Sequence, residues 1–203
     1  MIIEGILTTE TELGEMHIAP IGPHVDRELQ KWTLKPFQTS TTFRNLKRSG
    51  RCVFHVIDDG LLLVQSILGM CNTKECMPKA RYENGFGWVL SDSCRVFPLI
   101  VNKWDVSSER AIAECGKVTT LELRPFWGWN RAVHSLLELS IHWSRRDRTP
   151  REIIETELAQ HRVIIGKTAG DRENLAMELL EARFLEYWQK ESGDQPTIRR
   201  SDG

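Results

Sequence analysis

The chain has 203 residues, with 27 Lys and Arg against 28 Asp and Glu, a net charge of −1 and 40% apolar residues. This is the size of one domain with an appendage or of two small domains, long enough to bury a core without disulfide staples. Near-neutrality argues against the broad positive field of a duplex nucleic-acid binder, and the apolar run at residues 61–64 is far below the roughly 18 residues of a membrane span.

The first 130 residues read mainly as strands. Residues 2–9, 16–22, 29–34, 52–57, 87–90 and 96–104 are short β-branched and aromatic runs separated by Gly, Pro, Asp and Asn. Two helices interrupt them. One is predicted from Ser40–Thr42 to Gly50, with hydroxyl N-cap chemistry at its start and a C′ glycine at its end. The other opens at Asp58 or Asp59, whose charge suits the positive end of a helix dipole, and stops at Gly69. Residues 70–84 read as a long irregular loop, and residues 110–115 and 118–123 as a hairpin around Gly116. Beyond residue 130 the apolar period becomes 3.6. Ala132, Leu136, Leu139 and Trp143 form one stripe; Ile154, Leu158, His161 and Ile165 a second; Ala176, Leu180, Phe184 and Trp188 a third. Pro150 suits a first helical turn after Thr149 as N-cap, and Asp171 or Gly170 opens the last helix. The expected architecture is α+β: a β-barrel-like domain over residues 1–128, a helical appendage over 129–192 packed on the barrel or on a dimer mate, and a flexible tail over 193–203.

Several motifs fail on inspection. Gly166-Lys167-Thr168 resembles the end of a P-loop, but His161 occupies the slot of its first glycine and a helical stripe precedes it. Gly85 and Gly87 begin a G-x-G-x-x-G whose third slot is Leu90, and G-x-S-x-G does not occur. His134, Glu138 and His142 share one helix face; the polar side of an amphipathic helix explains them better than a metal does. Cys71 and Cys76 have C-x4-C spacing without a second pair, so no metal is assigned. Five scattered cysteines and an N-terminus without a basic n-region predict reduced thiols in a cytoplasmic protein. Trp127 and Trp129 around Gly128 are candidates for an exposed aromatic cluster.

The stretch that carries chemistry is Lys35-Pro36-Phe37-Gln38-Thr39-Ser40-Thr41-Thr42-Phe43-Arg44-Asn45-Leu46-Lys47. Four consecutive hydroxyl residues sit between a strand and a helix, where free N–H groups point outward with partial positive charge. With Arg44, Lys47, Arg48 or Lys35 nearby, the combination suits a phosphate monoester. A helix N-cap with spare threonines is the other reading of the same residues.

This segment resembles the S-x-T-x-x-N-L motif of FMN-binding split β-barrels, the flavin-reductase-like superfamily. Within it, the chain is similar to the family known as domain of unknown function 447. The resemblance rests on Ile3-Glu4-Gly5-Ile6, Met16-His17-Ile18-Ala19-Pro20-Ile21-Gly22, Phe37, Ser40 to Leu46, Phe54-His55-Val56 with Asp58 and Asp59, and Asn130-Arg131-Ala132 ahead of Glu138 and Arg145. It spans roughly residues 1 to 165 and implies a split barrel of the FMN-binding type, homodimeric, with FMN near the subunit interface. By that resemblance Thr39, Ser40, Thr41, Thr42 and Asn45 fall on the phosphate-binding turn, and His17, Ala19 and Pro20 on the strand near the isoalloxazine ring. Arg131 either reaches the phosphate or the facing subunit, or starts its helix and pairs with Glu138. The functional expectation is an FMN-binding oxidoreductase with a small-molecule redox partner and no role for nucleic acid or membrane. The alternative is a non-catalytic flavin carrier or scaffold, with Phe184, Tyr187 and Trp188 docking a partner. No residue is nominated as general acid or base.

Overall fold

The computed structural model describes residues 1–193; beyond its first residue, the expected tail lies outside the described residues. The barrel part contains β1 (Gly5–Glu10), β2 (Met16–Ile21), β3 (His24–Val25), β4 (Lys31–Leu34), α1 (Thr41–Ser49), β5 (Arg51–Val56), α2 (Gly60–Ile67), β6 (Ala80–Glu83), β7 (Gly87–Leu90), β8 (Arg95–Asp105), β9 (Ile112–Lys117) and β10 (Leu121–Glu122). Helices α3 (Arg131–Ser144), α4 (Arg151–Thr168) and α5 (Asp171–Gly193) follow. The fold is α+β.

The main sheet is antiparallel in the order β2-β1-β5-β8-β9-β4-β3, with β10 also on β8. It curls until its ends meet. The β1–β2 ladder pairs Gly5 with Ile21, and in the same register Ile2 bridges His24 of β3. Strand β3 in turn pairs with β4 through His24–Thr33 and Val25–Trp32. The bent β2–β3 segment therefore touches β1 along its length and β4 at its end, which closes the ring.

Inside the ring Trp32 is central. Its ring centroid lies 5.2 Å from that of Phe54 and 4.9 Å from that of Phe97, with Leu7, Leu34, Leu46 and Leu99 buried around them. Gly5 lets β1 approach this core: a Cβ there would meet the His55 carbonyl oxygen at 2.4 Å and Phe54 Cζ at 2.5 Å. The opposite face of β1 and β2 presents Ile6 and Ile18 to Leu62 of α2 and Leu90 of β7. Helix α2 is buried on two sides, because its Leu61 and Val64 pack instead against α3, α4 and α5. It is the joint between barrel and helices.

The helical stripes fold as their period dictates. Ala132, Leu136 and Leu139 are buried, as are Ile154, Leu158 and Ile165, and Ala176, Leu180, Phe184 and Trp188. Helix α1 runs from its N-cap Ser40 to Gly50, which adopts φ 66°. Helix α2 is capped by the Asp59 carboxylate on the Leu62 amide, and Gly69 takes φ 75°.

Three expectations are corrected. Residues 70–84 are not one irregular loop: a 3-10 turn occupies Met70–Asn72 and β6 pairs with β7 across a tight turn. The Asn84-Gly85 step in that turn is a hairpin signal that the loop reading passed over. Gly116 turns no hairpin. It lies within β9, which pairs with β8 and β4 while β10 returns to β8; a Cβ at Gly116 would meet Asn102 Nδ2 at 3.0 Å, so this glycine marks a close approach. Thr149 does not cap α4, since Pro150 holds the N-cap position and the Thr149 hydroxyl donates back to the Arg145 carbonyl.

Cysteines 52, 71, 94 and 115 are buried, Cys76 is half-buried, and none is in a disulfide. Burial pushes the Cys71 and Cys115 thiols up to about 12 and Cys94 to about 11.

His55 ties three strands together. Its Nδ1 meets the Ile6 carbonyl of β1 at 3.2 Å, and its Nε2 accepts from the Leu90 amide of β7 at 3.1 Å. That pairing places the ring proton on Nδ1 and makes the neutral imidazole the fitting form. Burial lowers its pKa from 6.5 to about 4, against the opposing pull of its backbone hydrogen bonds. Between those pH values the unfolded state binds a proton that the folded state refuses, so stability is complete above about 6.5 and falls as pH drops toward 4. Urea unfolding at pH 7 and pH 4.5 should show a loss of up to about 3 kcal/mol from this group. His55→Gln should be less stable at pH 7 and show a shallower pH slope.

Candidate functional site

The hydroxyl turn is built from the strand end toward the helix. Gln38 is held by its side-chain amide, which donates to the carbonyls of Val106 at 2.9 Å and Ser108 at 2.7 Å. Ser40 donates its hydroxyl to the Phe37 carbonyl at 2.7 Å and accepts from the Phe43 amide at 3.1 Å, which sets the direction of α1. The Thr41 and Thr42 amides that follow have no hydrogen-bond partner among the described residues. Arg44 folds back over the turn, donating to the Thr39 carbonyl and to Thr41 Oγ1, both at 2.8 Å. A guanidinium, two free amides and the hydroxyls of Thr39, Thr41 and Thr42 thus share the positive end of one helix.

The floor of the turn is the β1–β2 hairpin. Asn45 is buried and donates to Thr9 Oγ1 of β1 at 3.0 Å. Thr42 Oγ1 stands 3.4 Å from His17 Nε2, and His17 pairs with Thr9 across the hairpin. Burial, and then the nearby Arg44, lower the His17 pKa, so its ring is neutral at pH 7. Side chains alternate along a strand, so Ala19 lies on the His17 face and Pro20 on the other. The Asn72 side chain clamps the outward edge of β2, bonding both the amide and the carbonyl of Ile18 at 2.8 and 3.0 Å. The Pro20 carbonyl points to the same outer side.

Six of the nine expected residues are therefore brought together: Thr39, Ser40, Thr41, Thr42, Asn45 and His17. Ala19 lies next along β2 on the same face, while Pro20 offers only backbone to this side. Arg131 is not joined to the turn within this chain. It is exposed at the start of α3, and α3 packs on α2, at the far end of β1 from Thr9. Its pairing with Glu138 is absent among the described residues, where Arg131 makes no ion pair. Of the cations expected around the turn only Arg44 is bonded to it. Lys47 sits over the Trp104 ring at 5.2 Å, and Arg48 donates to the carbonyls of Glu10 and Thr11 at 2.6 and 2.8 Å. Thr9 was missed, because one threonine in an alternating strand carries no mark of a partner 36 positions away.

His134 does not join His142 at a metal. It leans on Trp129, with ring centroids 5.2 Å apart, and among the described residues no three His, Cys, Asp or Glu side chains are grouped to hold a metal ion.

A closed antiparallel ring with a hydroxyl-capped helix against its β1–β2 hairpin is the split-barrel arrangement that the sequence led one to expect. The N-terminal domain of the protein of unknown function family DUF447 matches residues 3–123, and the second DUF447 domain matches residues 130–182. The chain belongs to the DUF447 family. Among solved structures, the FMN-bound DUF447 protein MM1853 from Methanosarcina mazei superposes with a TM-score of 0.75 at 20% identity, covering 89% of this chain and 94% of that one. Flavin reductase HpaC complexed with NADP+ gives 0.53 at 15% identity over 64% of this chain and 82% of its own. An FMN-binding protein from Thermus thermophilus with bound 1-cyclohex-2-enone gives 0.50 at 10% identity over 59% and 70%. At these identities the likeness establishes the fold. No curated protein matches the chain in sequence. Among the described residues no helix is long and apolar enough to cross a membrane.

The cap at Ser40 gives a direct check on the turn. Ser40→Ala should cost about 1 kcal/mol in urea unfolding, whereas Ser40→Asp, an equally good N-cap, should leave stability within a few tenths of a kcal/mol.

Proposed function

We propose that this chain binds FMN with the phosphate on the amides of Thr41 and Thr42, and that it is a flavin-dependent oxidoreductase acting as a homodimer on a small molecule. The observation that carries the reading is the pair of unpartnered amides at a helix start, framed by three threonine hydroxyls and covered by Arg44. A phosphate monoester satisfies all of these groups at once, which explains the hydroxyls left over after Ser40 has capped the helix. Two of the superposed proteins, the FMN-bound DUF447 protein from Methanosarcina mazei and the FMN-binding protein from Thermus thermophilus, support the same ligand.

When bound, FMN supplies hydride or electron transfer. The chain's own residues hold and orient. Ser40 keeps α1 aimed at the phosphate. Asn45, bonded to Thr9, locks α1 to the barrel. Neutral His17 adds a polar ring without adding charge, and the Pro20 carbonyl offers a backbone acceptor along β2. Arg131 belongs to this site through a second copy of the chain, since its own turn lies at the other end of β1.

Purified protein should be yellow, or should quench the fluorescence of added FMN with one equivalent per chain. Ser40→Asp places a carboxylate in the phosphate cradle while keeping the cap. It should weaken FMN at least about tenfold and change riboflavin binding little. Equal loss for both flavins, or none for either, refutes the phosphate assignment. Bound flavin reduced by NADH or NADPH supports the oxidoreductase reading; a flavin that no donor reduces supports a carrier.

A further inference from the structure

A cavity of about 1,230 Å³ lies away from the hydroxyl turn. It opens between the start of β1, the β5–α2 corner and the first turns of α3 and α5. One wall is the segment Phe126–Trp129, where Trp127 is 89% and Trp129 84% exposed. The backbone of this segment and the Trp129 ring are anchored. The Trp127 amide donates to Asp58 Oδ2 at 2.9 Å. Trp129 meets Phe126 edge-on at 5.9 Å and rests against His134 on its other side. Two large indoles on this corner, left facing water, form an apolar wall.

The remaining lining is acidic. It includes six carboxylates and two guanidiniums. Arg124 is engaged with Asp58 and Arg172 with Asp59, so Glu4, Asp92, Asp171 and Glu173 line the cavity without an ion pair among the described residues; Glu173 accepts from the Gly170 amide at the start of α5. A phosphate-bearing nucleotide would meet like charge here. An organic cation with an apolar body meets attraction from both sources: its charge from the carboxylates, its body and its charge from the indole faces.

We infer that this cleft is a binding site for a small organic cation carrying an apolar or aromatic group. The inference does not rest on flavin binding, because no residue of the hydroxyl turn lines the cleft. The test is calorimetric titration of the full chain with benzyltrimethylammonium, with benzoate and benzyl alcohol as the anionic and neutral probes. Expected are saturable binding of the cation, weaker binding at higher salt, at least several-fold weaker binding of the alcohol, and no saturable binding of benzoate. Trp129→Ala and Trp127→Ala should each weaken the cation about three- to thirty-fold with unchanged circular dichroism, since both side chains are almost fully exposed; Asp171→Asn should weaken it a few-fold. Benzoate binding as tightly as the cation, absence of saturable binding by any probe, or full affinity in both Trp variants overturns the inference. So does a wild-type dimer that takes up no cation and becomes monomeric in the double Trp variant, since the cleft is then covered by a second copy. FMN affinity, read on the same proteins, is expected to be unchanged in every variant that remains dimeric.

Discussion

The carboxylate of Asp58 holds the two halves of the molecule in register. It ends the corner between β5 and α2, and it accepts hydrogen bonds from both terminal nitrogens of Arg124 and from the Trp127 amide. Burial works against its charge, but those donors outweigh burial and hold its pKa at about 2. Asp59, the next residue, caps α2 and pairs with Arg172 of α5. Two adjacent carboxylates thus fix where the chain leaves the barrel and where the last helix docks. The direction of α3, the placing of the aromatic wall and the shape of the large cleft follow from that corner. A charged pair so arranged contributes directional constraint more than net stability.

The local parts of this design were legible in the residues. Ser40 and Gly50 bracket α1, Asp59 and Gly69 bracket α2, and the three apolar stripes after residue 130 name most of the helical core. Those features are encoded within one or two turns of chain, where capping and period act. What escaped is encoded at a distance. Asp58 and Arg124 are 66 positions apart, and Asn45 and Thr9 are 36 apart. Gly116 carries the composition of a turn but serves the close passage of Asn102. The hydroxyl turn itself stood out because four such residues in a row exceed what capping one helix requires. Its floor, supplied by Thr9 and His17, had no comparable mark.

Charge is sorted along β1. Its C-terminal end meets the start of α1, where Arg44 and free amides give a positive site. Its N-terminal end opens on the cleft, where carboxylates outnumber guanidiniums. A six-residue strand spans about 20 Å, twice the distance over which physiological salt screens a field. The two ends therefore present opposite charge without interfering, although the chain as a whole is nearly neutral.

The sulfur atoms have a practical meaning. Cys52, Cys71, Cys94 and Cys115 are enclosed and stay protonated at neutral pH, so they are poor nucleophiles toward maleimides and iodoacetamide. Cys76, half-buried just ahead of the β6–β7 hairpin, is the thiol that reagents can reach. The unaltered protein therefore offers a single attachment point for a fluorophore or spin label, beside the hairpin that His55 secures through Leu90. A probe there reports whether that hairpin stays docked while the rest of the barrel remains folded.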